Sequence, residues 1–249
     1  MNRFFTKLPL LGAVLLSLSV PAKAQFFDHL GANVQVGTNG ISIEAVSNIT
    51  QFVNIRAGVD FMPDIKFNAD ADFEYYDHFG NTGNYQGTMD LQGRLGRTQA
   101  HVIFNVYPVP KVPFYVAVGA YFSGNKLVKI SGHSDEIKEQ YEMYGDQMSG
   151  GVIIGNYNVP TNENGDVKGG IKVNGFRPYF GIGWGRTLPN KLVNFGIELG
   201  VQIQGKPKVY TDYGSLDSSE YEDNNTYQKI INKLKVYPVL SFRLGFKAF

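Results

Sequence analysis

From Val193 to Ile203 the chain reads VNFGIELGVQI: every odd position is apolar (Val193, Phe195, Ile197, Leu199, Val201, Ile203) and every even one is polar or glycine (Asn194, Gly196, Glu198, Gly200, Gln202). Unbroken period two predicts a β-strand with one apolar and one polar face, long enough to cross a bilayer at a tilt. The same alternation returns in FYVAVGAYF, where Phe114, Val116, Val118, Ala120 and Phe122 share a face, and in FRPYFGIGW, where Phe176, Pro178, Phe180, Ile182 and Trp184 do. In VNIRAGVDF the odd residues Val53, Ile55, Ala57, Val59 and Phe61 oppose Asn54, Arg56, Gly58 and Asp60. None of these apolar faces carries a charge.

Connections between the strands come in two lengths. Short turns are predicted at SNIT (47–50), PVPKVP (108–113) and TLPNKL (187–192). Long polar segments lie at 78–86, about 133–166 and about 212–233. In LGANVQVGTNGISIEAVSN, Thr38 and Asn39 with Gly40 read as a tight hairpin turn; one long bent strand from 31 to 47 is the alternative. With the hairpin, the strands are 30–37, 40–48, 51–72, 88–107, 113–131, 168–186, 192–211 and 235–249. Eight strands satisfy the even, antiparallel count of bacterial single-chain barrels. In the 88–107 strand the apolar parity shifts from Leu91 and Leu95 to Val102, Phe104 and Val106, which predicts a bulge near Gly96.

Two folds alternate in this way: a soluble β-sandwich and a membrane barrel. The polar faces here hold glycine with isolated Arg and Glu among Tyr and Asn, which suits the cramped interior of a small barrel. Residues 1–24, MNRFFTKLPLLGAVLLSLSVPAKA, add a basic start, an apolar run from Leu8 to Val20 and an Ala-x-Ala site before Gln25. That is the pattern of a secretory signal peptide, and its run is too short for a spanning helix. The expected organisation is a signal peptide over 1–24 and one barrel domain over 25–249. Removing the signal takes away Arg3, Lys7 and Lys23 and no acidic residue, leaving 20 basic against 22 acidic side chains. A near-neutral chain offers nucleic acid no basic face. With no cysteine, an exported chain has no disulfide to staple it and no thiol nucleophile.

The signal peptide, NIRAGVDF, RPYFGIGWG and the closing YPVLSFRLGFKAF together resemble the small eight-stranded outer-membrane barrels of the OmpA membrane-domain, OmpX and OmpW type, and the single-domain porin-like "outer membrane protein beta-barrel" proteins. The resemblance covers most of the mature chain. It implies an all-β, closed, antiparallel up-and-down transmembrane barrel in the outer membrane of a Gram-negative bacterium. It also implies lipid and lipopolysaccharide as surroundings, with the barrel-assembly machinery and periplasmic chaperones as partners during biogenesis. In such proteins a terminal phenylalanine is read as an assembly signal, the role expected of Phe246 and Phe249. Leu240, Phe242, Leu244 and Phe246 are even and Phe249 odd, a departure that requires a bulge or an exit from the ladder. The chain ends at the barrel, so no peptidoglycan-binding domain is expected to follow.

With polar faces inward, the lumen would hold Glu44, Arg56, Asp60, Arg177, Glu198 and Arg243. Glu44 and Arg56 flank the SNIT turn almost symmetrically, and Glu198 and Arg243 stand at equal heights on neighbouring strands. Ion pairs Glu44–Arg56 and Glu198–Arg243 are therefore expected, because an unpaired charge in a narrow lumen is costly. They would serve as structural plugs or as a gate for ions or water. Interfacial aromatics are expected at Tyr107, Phe114, Trp184 and Tyr237.

Enzymatic chemistry is not expected. Of the four histidines (His29, His78, His101, His133), His78 and His133 lie on polar loops beside Asp77 and beside Ser134, Asp135 and Glu136, but adjacency in a loop does not make a triad, so no catalytic residue, metal or cofactor is assigned; His101 is expected to face inward near the periplasmic end and reads as packing beside Arg97 and Asn105. The acidic segment 212–227 reads as an exterior loop able to meet calcium, lipopolysaccharide or a partner, and 225–235 as a short amphipathic helix. The expected role is an envelope or surface protein with a filled lumen. Transport of small or hydrophobic solutes is the alternative, and loop-mediated adhesion a third reading.

Overall fold

The computed structural model describes residues 30–77, 85–145, 148–154, 157–188, 192–214, 216–218 and 235–247. The signal-peptide segment, His29, His78, Phe249, residues 215 and 219–227 of the acidic segment and 225–234 of the amphipathic stretch lie outside them.

Eight strands close into a ring. β1 (Leu30–Gly37), β2 (Gly40–Asn48), β3 (Val53–Asp77), β4 (Tyr85–Val106), β5 (Phe114–Ser123), β10 (Phe176–Trp184), β11 (Val193–Ile203) and β14 (Val236–Lys247) pair antiparallel in that order, and β14 returns to β1 from Gly31↔Lys247 to Gly37↔Ser241. The fold is an all-β, eight-stranded antiparallel barrel. The first hairpin is real: Gly37 pairs with Gly40 across Thr38 and Asn39. Among the described residues no non-glycine has positive φ, and Gly40 takes 91°. The turn therefore ends on glycine and is not the mirror-image type that needs positive φ at both central residues.

Six further strands build a second tier above the ring: β6 (Lys126–His133), β7 (Met148–Ile154), β8 (Tyr157–Val159), β9 (Asp166–Lys172), β12 (Lys208–Thr211) and β13 (Asp217–Ser218). The tall hairpin β3–β4 is its stem, extended as β4–β6–β9–β12 on one side and β3–β7–β8–β13 on the other. Three of the long strands expected from sequence are thus broken, at 124–125, 173–175 and 204–207. Glycines stand at each break (Gly124, Gly175, Gly205), and Pro207 ends the last. Backbone bonds knit the breaks together, Val173 N to Asn125 O at 2.8 Å and Asn174 N to Gln204 O at 2.9 Å.

The parity shift has a different origin from the one expected. Odd residues of β4 face inward along its whole described length, from Met89 and Leu91 to Gln99, His101 and Asn105. What changes is the interior they face. The bulge lies on the partner strand, where Pro63 and Asp64 of β3 oppose the single Gly96 between Met62↔Arg97 and Ile65↔Leu95. Below it β3 buries the even residues Arg56 and Asp60; above it β3 buries the odd Phe73. That flip lets the upper tier hold a hydrophobic core of Phe73, Met89, Leu91, Val152, Val159 and Val167, joined by Ile137. Ile137 comes from the one described helix, α1 (Asp135–Tyr144), capped by Ser134 and ended by Gly145 at φ 58°.

At the foot of α1 the His133 ring lies 2.9 Å from Asp166 and 3.2 Å from Asp135. Those hydrogen bonds raise the His133 pKa above its usual 6.5, and the bond from His133 draws Asp166 below its usual 3.8. The His133 contribution is complete below the ordinary histidine value and is lost as pH rises through the raised pKa; that of Asp166 is lost as pH falls through its lowered one. Amide exchange at residues 131–137, corrected for intrinsic rates, should lose protection as pH rises beyond 6.5. His133→Gln should flatten that dependence; an unchanged profile would remove the contact from the account.

Candidate functional site

Period two puts one side chain in every pair of strand residues inside the ring, and most of those inner side chains are polar, with Val46, Ile103, Ala117 and Val239 among them. Asn33 and Gln35 of β1, Ser42 and Glu44 of β2, Asn54, Arg56 and Asp60 of β3, Arg177 of β10, Glu198 and Gln202 of β11, and Ser241 and Arg243 of β14 are all buried. Between them stand Tyr115 and Tyr121 of β5 and Tyr179 of β10, also buried. Glycine makes the room: a Cβ at Gly183 would fall on the Tyr115 ring, and one at Gly200 on that of Tyr179.

At mid-height one ion pair spans the lumen. Arg56 and Glu198 sit on β3 and β11, four strands apart in a ring of eight and hence on opposite walls. An Arg56 terminal nitrogen donates to both Glu198 oxygens, at 2.5 Å to Oε2. The same carboxylate accepts the hydroxyls of Tyr115 and Tyr179, each at 2.6 Å. Arg243 donates to the Tyr115 oxygen at 2.8 Å and places its other terminal nitrogen 3.8 Å from Glu198.

The expected pairs can now be placed. Glu44 and Arg56 approach to 3.5 Å, and Glu198 and Arg243 to 3.8 Å. Neither pair is directly cross-strand: Glu44 stands opposite Gly58 and Arg56 opposite Val46, while Glu198 faces Ser241 and Arg243 faces Gly196. Each pair is a diagonal, and the shortest bond of each cluster goes elsewhere. A narrow lumen brings the far wall as close as the neighbouring strand, which strand-by-strand reading does not capture.

His101 does more than pack. Its Nε2 lies 3.0 Å from Glu44 and its Nδ1 3.2 Å from Asp60, so both ring nitrogens face carboxylates, the arrangement an imidazolium satisfies. Asn33 donates to Glu44 at 2.8 Å, and Ser42 donates to Asp60. Serine, aspartate and histidine are thus in contact, but in the wrong order for nucleophilic catalysis. The hydroxyl hangs on the carboxylate, and the imidazole nitrogen that would activate it is held by Glu44. His101 is also only 2% exposed.

Asp60 therefore belongs to the histidine cluster. Arg177, at the upper end, donates to Gln99 at 2.9 Å and to Ser123 at 2.6 Å, with no carboxylate within ion-pair distance among the described residues. At the lower end Asn54 donates to Thr187 at 3.0 Å, and Thr187 shares a 3.0 Å contact with the Tyr107 hydroxyl.

Two of the four expected interfacial aromatics are corrected by this placement. Tyr107 is 1% exposed and plugs the lower lumen; its polar end is bonded inside, so it takes the inner face. Tyr237 shares the inner parity of Val239 and Arg243, donates to the Thr38 carbonyl at 2.6 Å and lies under Arg97 at the mouth. Phe114 and Trp184 pair across β5 and β10 at the short-turn end, and Trp184 points outward at 55% exposure. Phe246 is also outward, on β14. Lumen residues not assigned from sequence include Tyr115, Tyr179, Asn33 and Thr187, and for His101 the inward face was expected but not its two carboxylates; Tyr115 and Tyr179 stand on the polar face of their strands, and that parity was the available signal.

Among the described residues no three His, Asp or Glu converge as a metal site. The fold and lumen together define a closed barrel filled by its own side chains. Crystal structures of CarO2 and CarO from Acinetobacter baumannii are similar in shape. The first shares 18% identity over 89% of this chain and 99% of its own, with a TM-score of 0.48. The second shares 18% over 88% and 98%, with a TM-score of 0.47. No protein-family model matches the chain, and no curated protein matches it in sequence.

Removing one partner of the cross-lumen pair strands a buried charge, which costs about 3–5 kcal/mol. Arg56→Met should lower stability by about that amount. Glu198→Gln should cost at least as much, since two tyrosines and two arginines converge on it. The double variant Arg56→Met/Glu198→Gln should cost less than the sum. Urea unfolding in detergent measures all three; strict additivity would show that the two groups do not act on one another.

Proposed function

We propose that this chain is an integral outer-membrane β-barrel protein, exported and cleaved after residue 24, with a structural or surface-interaction role in the envelope. The observation that carries this reading is the inversion of polarity across the wall. Charged and amide side chains are buried inside, while Val36, Ile41, Phe180, Ile182, Leu199 and Phe242 are exposed outside. A soluble protein seldom exposes an apolar patch beyond a few hundred Å², whereas a barrel in hydrocarbon needs an apolar outer face right round and a ladder with no edge. No described helix is long and apolar enough to cross a membrane, and a barrel crosses with strands.

The short turns would face the periplasm and the upper tier the exterior. β3, at 25 residues and about 3.3 Å per residue, reaches far above a hydrocarbon core of about 30 Å. Lipid and lipopolysaccharide would then surround the lower ring, and the barrel-assembly machinery would read Phe246 and the residues after it. The eight-stranded ring and short turns support reading it as a small barrel like those of the OmpA, OmpX and OmpW type. The Arg56–Glu198 strut and the tyrosines beside it speak for a plugged lumen over a standing pore, and the buried, carboxylate-clamped His101 speaks against enzymatic chemistry.

Two measurements test this. Spin labels at Ile197 and Phe180 should report lipid in reconstituted protein and a label at the inward Ser241 should not; reversed accessibility, or a polypeptide that dissolves freely without detergent, would overturn the membrane reading. In planar bilayers the protein should show no nanosiemens conductance; steady currents of that size would overturn the plugged lumen and favour solute transport.

A further inference from the structure

The lumen charges fall into two groups. At mid-height Arg56, Arg243 and the doubly bonded His101 are matched by Glu44, Asp60 and Glu198. At the upper end Arg97 and Arg177 have no such match. Arg97 crosses the mouth from β4, donating to Gln204 just beyond β11 at 3.2 Å and lying 4.9 Å from the ring of Tyr237 on the opposite wall. Arg177 rises beside Gln99 and Ser123. Arg177 lies within the repulsive field of Arg97. Asp60 acts on both through space, but its oxygens are taken by Ser42 and His101.

Both arginines are buried, Arg177 at 0% and Arg97 at 9% exposure. Each keeps donors without partners among the described residues: Nε and one terminal nitrogen of Arg97, Nε and one terminal nitrogen of Arg177, and beside them the amide nitrogen of Gln99. Buried polar groups are normally hydrogen-bonded, and buried cations normally paired. Five buried donors around two like charges are the complement of an oxyanion, which accepts several hydrogen bonds and neutralises charge; water can do only the first.

We propose that Arg97, Arg177 and Gln99 form a binding site for a small oxyanion, a carboxylate or phosphate group, at the upper mouth of the barrel. A cavity of about 410 Å³ beside the β3 bulge is lined by Arg97 together with Arg94, Lys129 and Asp64. Asp64 is paired with Arg94, so the approach keeps a cationic balance that draws anions. The site belongs to the lumen and holds whatever surrounds the wall, so it goes beyond the envelope role and does not depend on it.

The test uses the whole purified protein in detergent, titrated with sodium acetate and, separately, inorganic phosphate at constant ionic strength held by sodium chloride. Arginine side-chain NMR follows the Nε–H signals. The Arg97 and Arg177 signals should move along a saturable curve with at least one of the two anions, while that of Arg186 at the short-turn end, bonded to the Pro110 carbonyl, does not saturate. Which anion saturates first identifies the carboxylate or phosphate source. Arg177→Gln should weaken the binding at least about tenfold, the loss of one charge-assisted hydrogen bond. Arg97→Gln, at the more exposed rim, provides the same comparison should Arg177→Gln fail to fold. Linear, non-saturating shifts in the wild-type protein with both anions, or unchanged affinity in the folded variant, would overturn the site.

Discussion

Closure of the hydrogen-bond ladder between β14 and β1 is the constraint from which the other features follow. Once the ring is closed, no strand of its lower wall has an edge, and every residue of that wall faces either the lumen or the outside. There is no third environment. A side chain two positions away is on the same side, and one position away on the other, so the polarity of each strand becomes the polarity of a whole surface. Glu198 is inside because Ile197 and Leu199 are outside, and the same holds for Arg56 between Ile55 and Ala57. A barrel of eight strands leaves an interior that side chains can fill, and here Tyr115, Tyr179, Arg56 and Arg243 fill it.

Filling a lumen with charge brings its own requirement. Burying an ion costs several kcal/mol unless the geometry of its partners is good, and buried pairs often add little net stability over apolar packing. Their value here is positional. Glu198 accepts from Arg56 on the opposite wall and from Tyr115 and Tyr179 on its own side, so one carboxylate ties three strands to a fourth across the axis. His101 does the same for β2, β3 and β4 through Glu44 and Asp60. An apolar filling would pack, but would not distinguish one strand register from another two residues away. Above these clusters the matching stops, and the two arginines at the mouth remain as surplus positive charge.

The upper tier shows how a continuous wall changes character without changing strand. β4 keeps its odd residues inward throughout. Below Gly96 they meet a polar lumen, and above it they meet Phe73, Val152 and Ile137. The bulge at Pro63–Asp64 lets β3 follow by moving its inward parity from even to odd. One inserted residue on one strand therefore joins a barrel whose apolar face is outside to a sheet whose apolar face is inside.

Much of this was legible in the residues alone. Period two with uncharged apolar faces identified the strands, the short turns set their order, and an even count demanded the Thr38–Asn39 hairpin that the ring contains. Inward parity placed Glu44, Arg56, Asp60, Arg177, Glu198 and Arg243 in one interior, because alternation is a local property of an extended backbone. Partner choice was not local. Arg56 reaches Glu198 across 142 positions of sequence, and His101 bridges two carboxylates on other strands, contacts that exist only once the ring has closed and brought its far walls together. Tyr107 and Tyr237 went to the inner face for the same reason: their hydroxyls found partners inside, at Thr187 and at the Thr38 carbonyl. The breaks after β5, β9 and β11, and the tier above them, likewise depend on where the wall bends, which strand periodicity does not encode.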